Sequence, residues 1–305
     1  MTKKKYSIIL VILCLFLFTG CTKQLKDANN KPVTNEETGQ TLTQNILCKP
    51  TDEYTSQLYV ENGVDVDKLQ SCSGYSLRQS WKTYDGLWST IFVKPLAWII
   101  LKIGRFVKSN GLALIIASLL IRLVAVPITK RTAMQSELIS KAQPELDRLE
   151  KKYANKTDND SMMKKSQEMA AIYKKYNINP VMGCLFAFIQ LPIFIAFLEA
   201  INRVPAIFEE KFLLFQLGTT PGVAFTKGAF VYLILTILVG LSTYFSMKLN
   251  SSSNPNNDQV NMMNKMMFLM ITFMSVFMTA ALNIYWVTSN LFTIAQNLII
   301  KRKKV

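Results

Sequence analysis

Histidine is absent from this chain of 305 residues, and so are the residue groupings that most enzymes use. Without histidine there is no Ser-His pair for nucleophilic catalysis, and the commonest metal ligand is missing. The sequence contains no GxxxxGK(S/T) phosphate loop and no pair of carboxylates within a hydrophobic run. We therefore expect a protein that is not an enzyme and that uses no metal and no cofactor.

Charged residues make up only 18% of the chain, against 50% hydrophobic residues, and the net charge is +15. The lysines and arginines cluster beside hydrophobic blocks and are accompanied by no zinc-finger or RNA-binding signature. This placement fits the positive-inside rule of membrane proteins better than it fits nucleic-acid binding. We expect a lipid bilayer as the surroundings and no direct nucleic-acid site.

Cysteine is also scarce, with five residues and no CxxC pair. Cys48 and Cys72 both lie in the polar segment 21–85, where they could form a disulfide, but spacing alone leaves the pairing open. The same segment is rich in Asn, Thr, Gln and Asp. This composition predicts an extracellular tether of low structural content.

The first twenty residues have the layout of a bacterial export signal. Three lysines, Lys3 to Lys5, precede an apolar stretch that is too short to span a membrane. The stretch ends in Leu17-Phe18-Thr19-Gly20-Cys21, which resembles a lipobox. Such a lipoprotein signal predicts a lipid, palmitate included, on Cys21 and a mature N-terminus on the outer face. An ordinary signal peptide or anchor with an incidental cysteine is the alternative.

Arg122 lies near the centre of an apolar run, 112–126, that is long enough to contribute to a membrane span. Burial of a guanidinium at mid-membrane costs about 2.5–3.5 kcal/mol on insertion scales, and arginine does not escape by deprotonation. Glu199, at the outer end of another span, is the only acidic residue within the predicted spans. We therefore expect Arg122 to be hydrated in a recess open to the cytosol, with snorkelling to the interface as the alternative.

Hydrophobic periodicity predicts an all-α polytopic membrane protein with five transmembrane helices, an interfacial amphipathic helix and a cytosolic helical hairpin. Eleven Lys and Arg residues within 130–180 and the basic tail place both segments in the cytosol. A first span that begins within 86–109 is the alternative to the interfacial helix. The predicted segments are the signal peptide 1–20, the tether 21–85, the interfacial helix 86–109, the first span 110–129, the hairpin 130–180, the second span 181–201, the extracellular loop 202–226, the third span 227–247, the cytosolic loop 248–263, the fourth span 264–281, the fifth span 283–300 and the tail 301–305.

Polar side chains on several predicted spans could line one recess with Arg122. For any one of them, a hydrogen bond that joins helices is the simpler explanation. Their presence on four spans beside an unpaired arginine favours a shared polar cavity. The candidate groove residues are Arg122, Ser118, Gln190, Ser242, Tyr285 and Trp286.

Methionine is concentrated in and just before the fourth predicted span, where it recurs every four residues. Adaptable packing against neighbouring helices or lipid is the favoured interpretation, and a surface for varied apolar partners is the alternative. The recurring residues are Met262, Met266, Met270, Met274 and Met278.

Local motifs resemble those of the Oxa/YidC/Alb membrane-protein insertases over about residues 85–300, and the lipobox points to the Gram-positive branch. The motifs are Leu119-Leu120-Ile121-Arg122-Leu123, Asn179-Pro180 followed by Met182-Gly183-Cys184-Leu185, Ile189-Gln190-Leu191-Pro192-Ile193, and Tyr285-Trp286 with Ser289-Asn290.

The resemblance implies an insertase and chaperone for nascent membrane proteins, working alone or beside the Sec translocon, with the ribosome as a further partner. It also implies that Arg122 lies in a hydrophilic groove that is open to the cytosol and closed outside. The groove would receive the short, often acidic, external tail of a substrate. Its apolar segment would then leave along the third and fifth spans. A small-solute transporter or channel and a structural lipoprotein scaffold are the competing functions.

Overall fold

The computed structural model describes residues 22–156, 158–250 and 258–302, and this part of the chain is mostly helical. The predicted signal peptide, the lipidation site Cys21 and the last three residues lie outside the described residues. The helices are α1 Glu53–Glu61, α2 Leu77–Ser80, α3 Lys94–Val107, α4 Asn110–Tyr153, α5 Asn159–Lys175, α6 Pro180–Arg203, α7 Pro205–Phe208, α8 Pro221–Thr226, α9 Leu233–Asn250, α10 Asp258–Ser275 and α11 Ala280–Arg302.

Short elements complete the chain trace. The π-helix Ser89–Val93 leads directly into α3, and 3-10 turns lie at Val66–Lys68 and Phe230–Tyr232. The strands β1 Lys211–Phe212 and β2 Phe215–Gln216 form an antiparallel hairpin. This hairpin belongs to the outer loop, defined here as residues 204–229, which joins α6 to α9.

Helix α4 is one continuous helix of 44 residues with Pro127 and Pro144 inside it. At 1.5 Å per residue it is about 66 Å long, and it contains both the predicted first span and the first half of the predicted hairpin. The predicted boundary at residue 129 is therefore not a helix end. The prediction rests on Pro127 and on the basic pair Lys130-Arg131, but Pro127 lies inside the helix, and the basic pair marks a change of surroundings that does not interrupt backbone hydrogen bonds.

The other long helices differ from the predicted spans mainly at their ends. Helix α9 begins at Leu233, six residues after the predicted start of the third span, and α10 is displaced towards the N-terminus relative to 264–281. Asn283 explains the early end of α10, because its Nδ2 donates to the carbonyl oxygen of Ser275 at 2.9 Å. By length and composition, two stretches of the described residues could cross a membrane, Asn110–Pro127 and Phe230–Leu249.

The predicted hairpin has α5 packed against the second half of α4. Lys152 pairs with Glu168 at 2.6 Å, and Lys175 pairs with Glu145 at 2.5 Å. Tyr153 and Tyr176 donate hydrogen bonds to the same two glutamates. These pairs are largely exposed, so they align the two helices and contribute little stability.

Residues 22–85, called the N-terminal module below, form an ordered unit, so the expectation of low structural content is wrong. A disulfide joins Cys48 to Cys72, which answers the question that spacing left open. The module also has its own apolar cluster, which includes Leu25, Tyr59 and Phe208 of the outer loop. The composition of the segment does not reveal this order, because the small core is supplemented by a disulfide and by Phe208 from a distant segment.

Glu210 fixes the outer loop to the N-terminus of α4. Its carboxylate accepts hydrogen bonds from Ser109 Oγ at 2.7 Å, from the Asn110 backbone amide at 2.7 Å and from the Gly111 amide at 3.3 Å. A negative charge is favourable at this end of a helix because the first backbone amides are unpaired and the helix dipole is positive there. Phe212 packs so closely on Gly111 that a Cβ at position 111 would lie 2.3 Å from its ring.

We expect Glu210→Ala to lower the free energy of unfolding by about 1–2 kcal/mol, because two backbone amides and a hydroxyl lose their acceptor. Glu210→Gln keeps one oxygen acceptor and should lose less than half as much. Thermal unfolding of the purified protein in detergent measures both effects. Equal unfolding midpoints for wild type and Glu210→Ala would show that the carboxylate does not anchor the helix.

Candidate functional site

Arg122 is buried where α4, α6 and α11 meet, with 6% of its surface exposed. Its Nη2 donates a hydrogen bond to Gln190 Oε1 at 2.6 Å and another to Ser289 Oγ. Both partners are neutral. Among the described residues no carboxylate lies within ion-pairing distance of this guanidinium.

Arg122, Gln190, Ser289 and Tyr285 form a polar group that is called the Arg122 cluster below. Two polar atoms of this cluster have no hydrogen-bond partner among the described residues. Arg122 Nε and the hydroxyl of Tyr285 are both buried and make no hydrogen bond to the described residues. A buried cation with only neutral acceptors keeps its full charge in a medium that screens it weakly. The arrangement is therefore suited to receiving water or an anionic group from outside the chain.

Tyr285 stands at the outer edge of this polar region, on α11. It is almost fully buried, and its ring stacks on Phe197 of α6 with centroids 4.2 Å apart. Both rings belong to the large apolar cluster of the bundle. Tyr285 therefore marks the boundary between an apolar core and the polar cluster.

A second polar group joins α9 to α11. Trp286 Nε1 donates to Thr243 Oγ1 at 3.2 Å. The side-chain amide of Asn290 lies 3.1 Å from Ser242 Oγ and 3.0 Å from Thr243 Oγ1. These contacts place polar side chains on a fourth helix, α9.

Ser118 is buried on the same face of α4 as Arg122, but it does not bond to the arginine. Its hydroxyl donates to the carbonyl oxygen of Ile115, within its own helix, at 2.7 Å. Gln190 is thus the one candidate from the sequence that contacts Arg122 directly by a hydrogen bond in the structure.

Ser289 is the contact that the candidate set missed. It occupies the same face of α11 as Tyr285, four residues further along, and this helical spacing is the signal that could have identified it. Thr293 continues the row, since its hydroxyl donates to the carbonyl oxygen of Ser289 at 3.0 Å.

Buried residues change character along α4 and α11 near Arg122. Towards the N-terminal module most buried side chains are apolar, with Asn283 of α11 and Glu199 and Arg203 of α6 as buried polar exceptions, whereas around Arg122 and towards the helical hairpin several buried side chains are polar. The apolar group comprises Ala113, Leu114, Ala117, Phe197, Ala200, Ile201, Ala281 and Leu282, and the polar group comprises Ser118, Arg122, Thr129, Ser289, Thr293 and Asn297. A polar region on the hairpin side is therefore backed by an apolar core on the module side.

The outward faces of α9 and α10 are strongly apolar. On α10 the methionines at 262, 266, 270 and 274 are exposed, while Met278, beyond the end of the helix, packs against the main apolar cluster. The exposed large apolar residues on these two helices include Ile234, Ile237, Leu241, Phe245, Met266, Leu269, Met270 and Phe273. A surface of this extent is unusual for a soluble monomer and is typical of contact with lipid or another apolar partner.

Long apolar helices with exposed apolar faces, around a buried arginine that has no charged partner among the described residues, are typical of a helical integral membrane protein. A family model described as 60Kd inner membrane protein matches residues 102–305. The chain belongs to this family, which confirms the resemblance to the Oxa/YidC/Alb insertases.

Curated relatives cover most of the bundle. The membrane protein insertase YidC of Oceanobacillus iheyensis is 38% identical over 226 residues, which are 72% of this chain and 85% of that protein. The membrane protein insertase MisCA of Bacillus subtilis is 37% identical over 216 residues, 70% of this chain and 79% of that protein. A crystal structure of an active YidC insertase with its first transmembrane domain resolved gives a TM-score of 0.48 at 18% identity, over 80% of this chain and 50% of that chain.

Proposed function

We propose that this protein is a membrane insertase that accepts nascent membrane proteins from the cytosolic side. The family and its insertase relatives support the general function. One observation in this chain carries the mechanism: Arg122 is buried with neutral partners only, and further buried polar residues lie on the hairpin side of it.

The proposed substrate step exchanges the partners of Arg122. A carboxylate on the short external tail of a substrate enters the polar cluster and displaces Gln190 or Ser289 from the guanidinium. A charge-assisted bond replaces a neutral one, so the tail is stabilised part of the way across the membrane. Outward movement of a negative tail gains about 2.3 kcal/mol per charge per 100 mV when the inside is negative, so this step needs no nucleotide.

Release of the substrate is proposed to occur sideways into lipid. Ser242, Trp286 and Tyr285 lie on α9 and α11, the third and fifth proposed spans, and the apolar segment of the substrate would leave along these two helices. Ser118 lines the same face of α4 as Arg122 and completes the proposed groove.

The proposed topology has five spans, formed by the first half of α4 and by α6, α9, α10 and α11. The hairpin and the C-terminus are cytosolic, the N-terminal module is extracellular with a lipid on Cys21, and α3 lies at the outer interface. The outward apolar faces of α9 and α10 support lipid contact, and the basic hairpin supports a cytosolic position. We propose that the protein works alone or beside the Sec translocon, with the ribosome delivering substrate to the hairpin.

Site-specific photo-crosslinking to a stalled nascent chain tests this function. A photoreactive residue at Ser242 or Trp286 should crosslink to a substrate with an acidic external tail. The matched control is Phe106, an exposed aromatic residue of α3 on the side of the N-terminal module, where we expect no crosslink. Absence of crosslinks at both groove positions, or equal crosslinking at Phe106, would contradict the proposed groove.

A further inference from the structure

Arg203, the last residue of α6, is a buried cation that the groove does not use. Only 1% of its surface is exposed. Its Nε donates to the carbonyl oxygen of Asn45 at 2.7 Å, its Nη1 donates to Ser89 Oγ at 2.7 Å, and its Nη2 pairs with Asp85. One side chain thus holds three separate points of the chain on the N-terminal side of α3.

A second buried cation shares the same carboxylate. Lys94 Nζ lies 2.7 Å from Asp85 Oδ1 and also donates to the carbonyl oxygens of Ser80 and Thr83. Burial opposes ionisation of Asp85, but hydrogen bonds from Lys94 and Arg203 outweigh it and hold the pKa of that carboxyl below its usual range. Every nitrogen of Arg203 has a partner within the chain, which is the pattern of a structural junction.

Further bonds join the N-terminal module to the same end of α6 and to the outer loop. The Leu47 backbone amide donates to the carbonyl oxygen of Arg203 at 2.8 Å, and Thr43 Oγ1 donates to the carbonyl oxygen of Asn202 at 3.0 Å. Thr51 donates to Glu209 through both its amide and its hydroxyl. The module is therefore fixed to the bundle along a whole edge and is not tethered at a single point.

The N-terminal module also contributes to the apolar core that backs the groove. Leu47, Cys48, Cys72 and Tyr75 belong to the same cluster of buried residues as Ala117, Phe197 and Tyr285. The family match begins at residue 102, so the module lies outside the part of the chain that defines the family. Its core residues continue the apolar layer outward from the Arg122 cluster.

We propose that the N-terminal module closes the outer side of the groove, as its seal, and that Arg203 is the positioning residue that fixes this seal to α6. The contacts of Arg203 with Asn45, Ser89 and Asp85 are called the latch below. The inference rests on the proposed function, because only a groove hydrated from the cytosol needs a barrier on its outer side. Loss of Arg203 removes one of the two cations that pair with Asp85, and it leaves the buried carboxylate of Glu199 without the cation that lies 3.7 Å from it. The loss of one member of a buried ionic cluster favours local opening.

Thiol labelling from outside tests the seal. The reporter is Ser118→Cys, a near-isosteric change at a buried position of the proposed groove next to the apolar layer, labelled with a membrane-impermeant maleimide and located by peptide mass spectrometry. With the latch intact we expect almost no labelling of position 118. Arg203→Met should raise its rate at least about tenfold, since local opening then exposes the layer to water.

Two further variants separate a latch from a general contribution to folding. Arg203→Lys keeps the charge but cannot reach three acceptors, so its labelling should fall between wild type and Arg203→Met. Lys68→Met removes an exposed ion pair with Asp65 on the same module, and it should leave labelling unchanged. If Arg203→Met does not accumulate, the graded effect of Arg203→Lys against Lys68→Met decides the question.

Folded Arg203→Met or Arg203→Lys protein with the same external labelling as wild type would overturn the seal, even if thermal stability fell. Insertion of an acidic-tailed substrate by the protein with native Ser118 and Arg203 is measured in parallel. A failure of that insertion would refute the proposed function, while the labelling result would still decide whether the module closes the outer side.

Discussion

Arg122→Ala is expected to lower insertion of a substrate with an acidic external tail by about tenfold or more, since a charge-assisted hydrogen bond contributes about 1.5–3 kcal/mol. Arg122→Lys keeps a positive charge at the same depth and should retain most of the activity. Insertion into proteoliposomes, or complementation of cells depleted of the protein, provides the measurement. A substrate with a neutral tail should be much less sensitive to either change.

Lys130→Ala is the matched control for Arg122→Ala. It removes the same charge from the same helix, eight residues further along, at an exposed position. We expect near wild-type insertion from this variant. Wild-type rates from both Arg122 variants with the acidic substrate would contradict the groove mechanism and would favour a scaffold function.

Stability should respond differently from activity at position 122. Arg122→Ala removes a buried charge that has only neutral partners, so the unfolding temperature is not expected to fall as it would on loss of a well-paired residue. If the variant loses insertion activity but keeps its unfolding temperature, Arg122 acts in insertion and is not required for stability. A large drop in stability would instead show that its bonds to Gln190 and Ser289 hold the helices together.

Removal of the Cys48–Cys72 disulfide should have the largest effect on the N-terminal module. The two residues are 24 positions apart, and closing a loop of this size contributes about 3 kcal/mol in the chain-entropy description. The double variant Cys48→Ala/Cys72→Ala should therefore expose the module to protease under conditions where the wild type resists. Protease cleavage within residues 22–85, followed across a denaturant series, measures the change.

The control for the disulfide variant is Ser73→Ala, a neighbouring substitution at an exposed position. It should leave the protease pattern unchanged. Because both cysteines are buried, reductant should act on the native protein only after the module opens, so reduction should be slow without denaturant. Identical protease resistance with and without the disulfide would show that the apolar cluster and the Arg203 latch hold the module without it.

The sequence indicated the helical membrane class, and it predicts the candidate site around Arg122, because both inferences depend on local composition. Hydrophobic blocks and flanking lysines and arginines are visible along the chain, and an arginine inside such a block is costly wherever its helix packs. Ser118, Gln190, Ser242, Tyr285 and Trp286 were identified for the same reason, as polar or amphipathic residues in apolar surroundings.

The sequence was less informative about structural features that depend on contacts between residues far apart along the chain. The order of the N-terminal module depends on a disulfide and on Phe208, which lies far along the chain. Nothing in the sequence indicated that Arg203 is buried, because a charged residue at the end of a hydrophobic segment is expected at a membrane surface. Its burial became visible only through its contacts with Asn45, Ser89 and Asp85.

By itself the sequence placed Arg122 inside a hydrophobic segment, with Glu199 as the only acidic residue of the predicted spans. The tertiary structure decided that its partners are Gln190 and Ser289, which lie 68 and 167 residues away. It also decided that residues of the N-terminal module and of the helical bundle share one apolar cluster. The reason is physical: the cost of burying a charge is a property of the residue and its segment, whereas partners and barriers arise only when distant segments pack together.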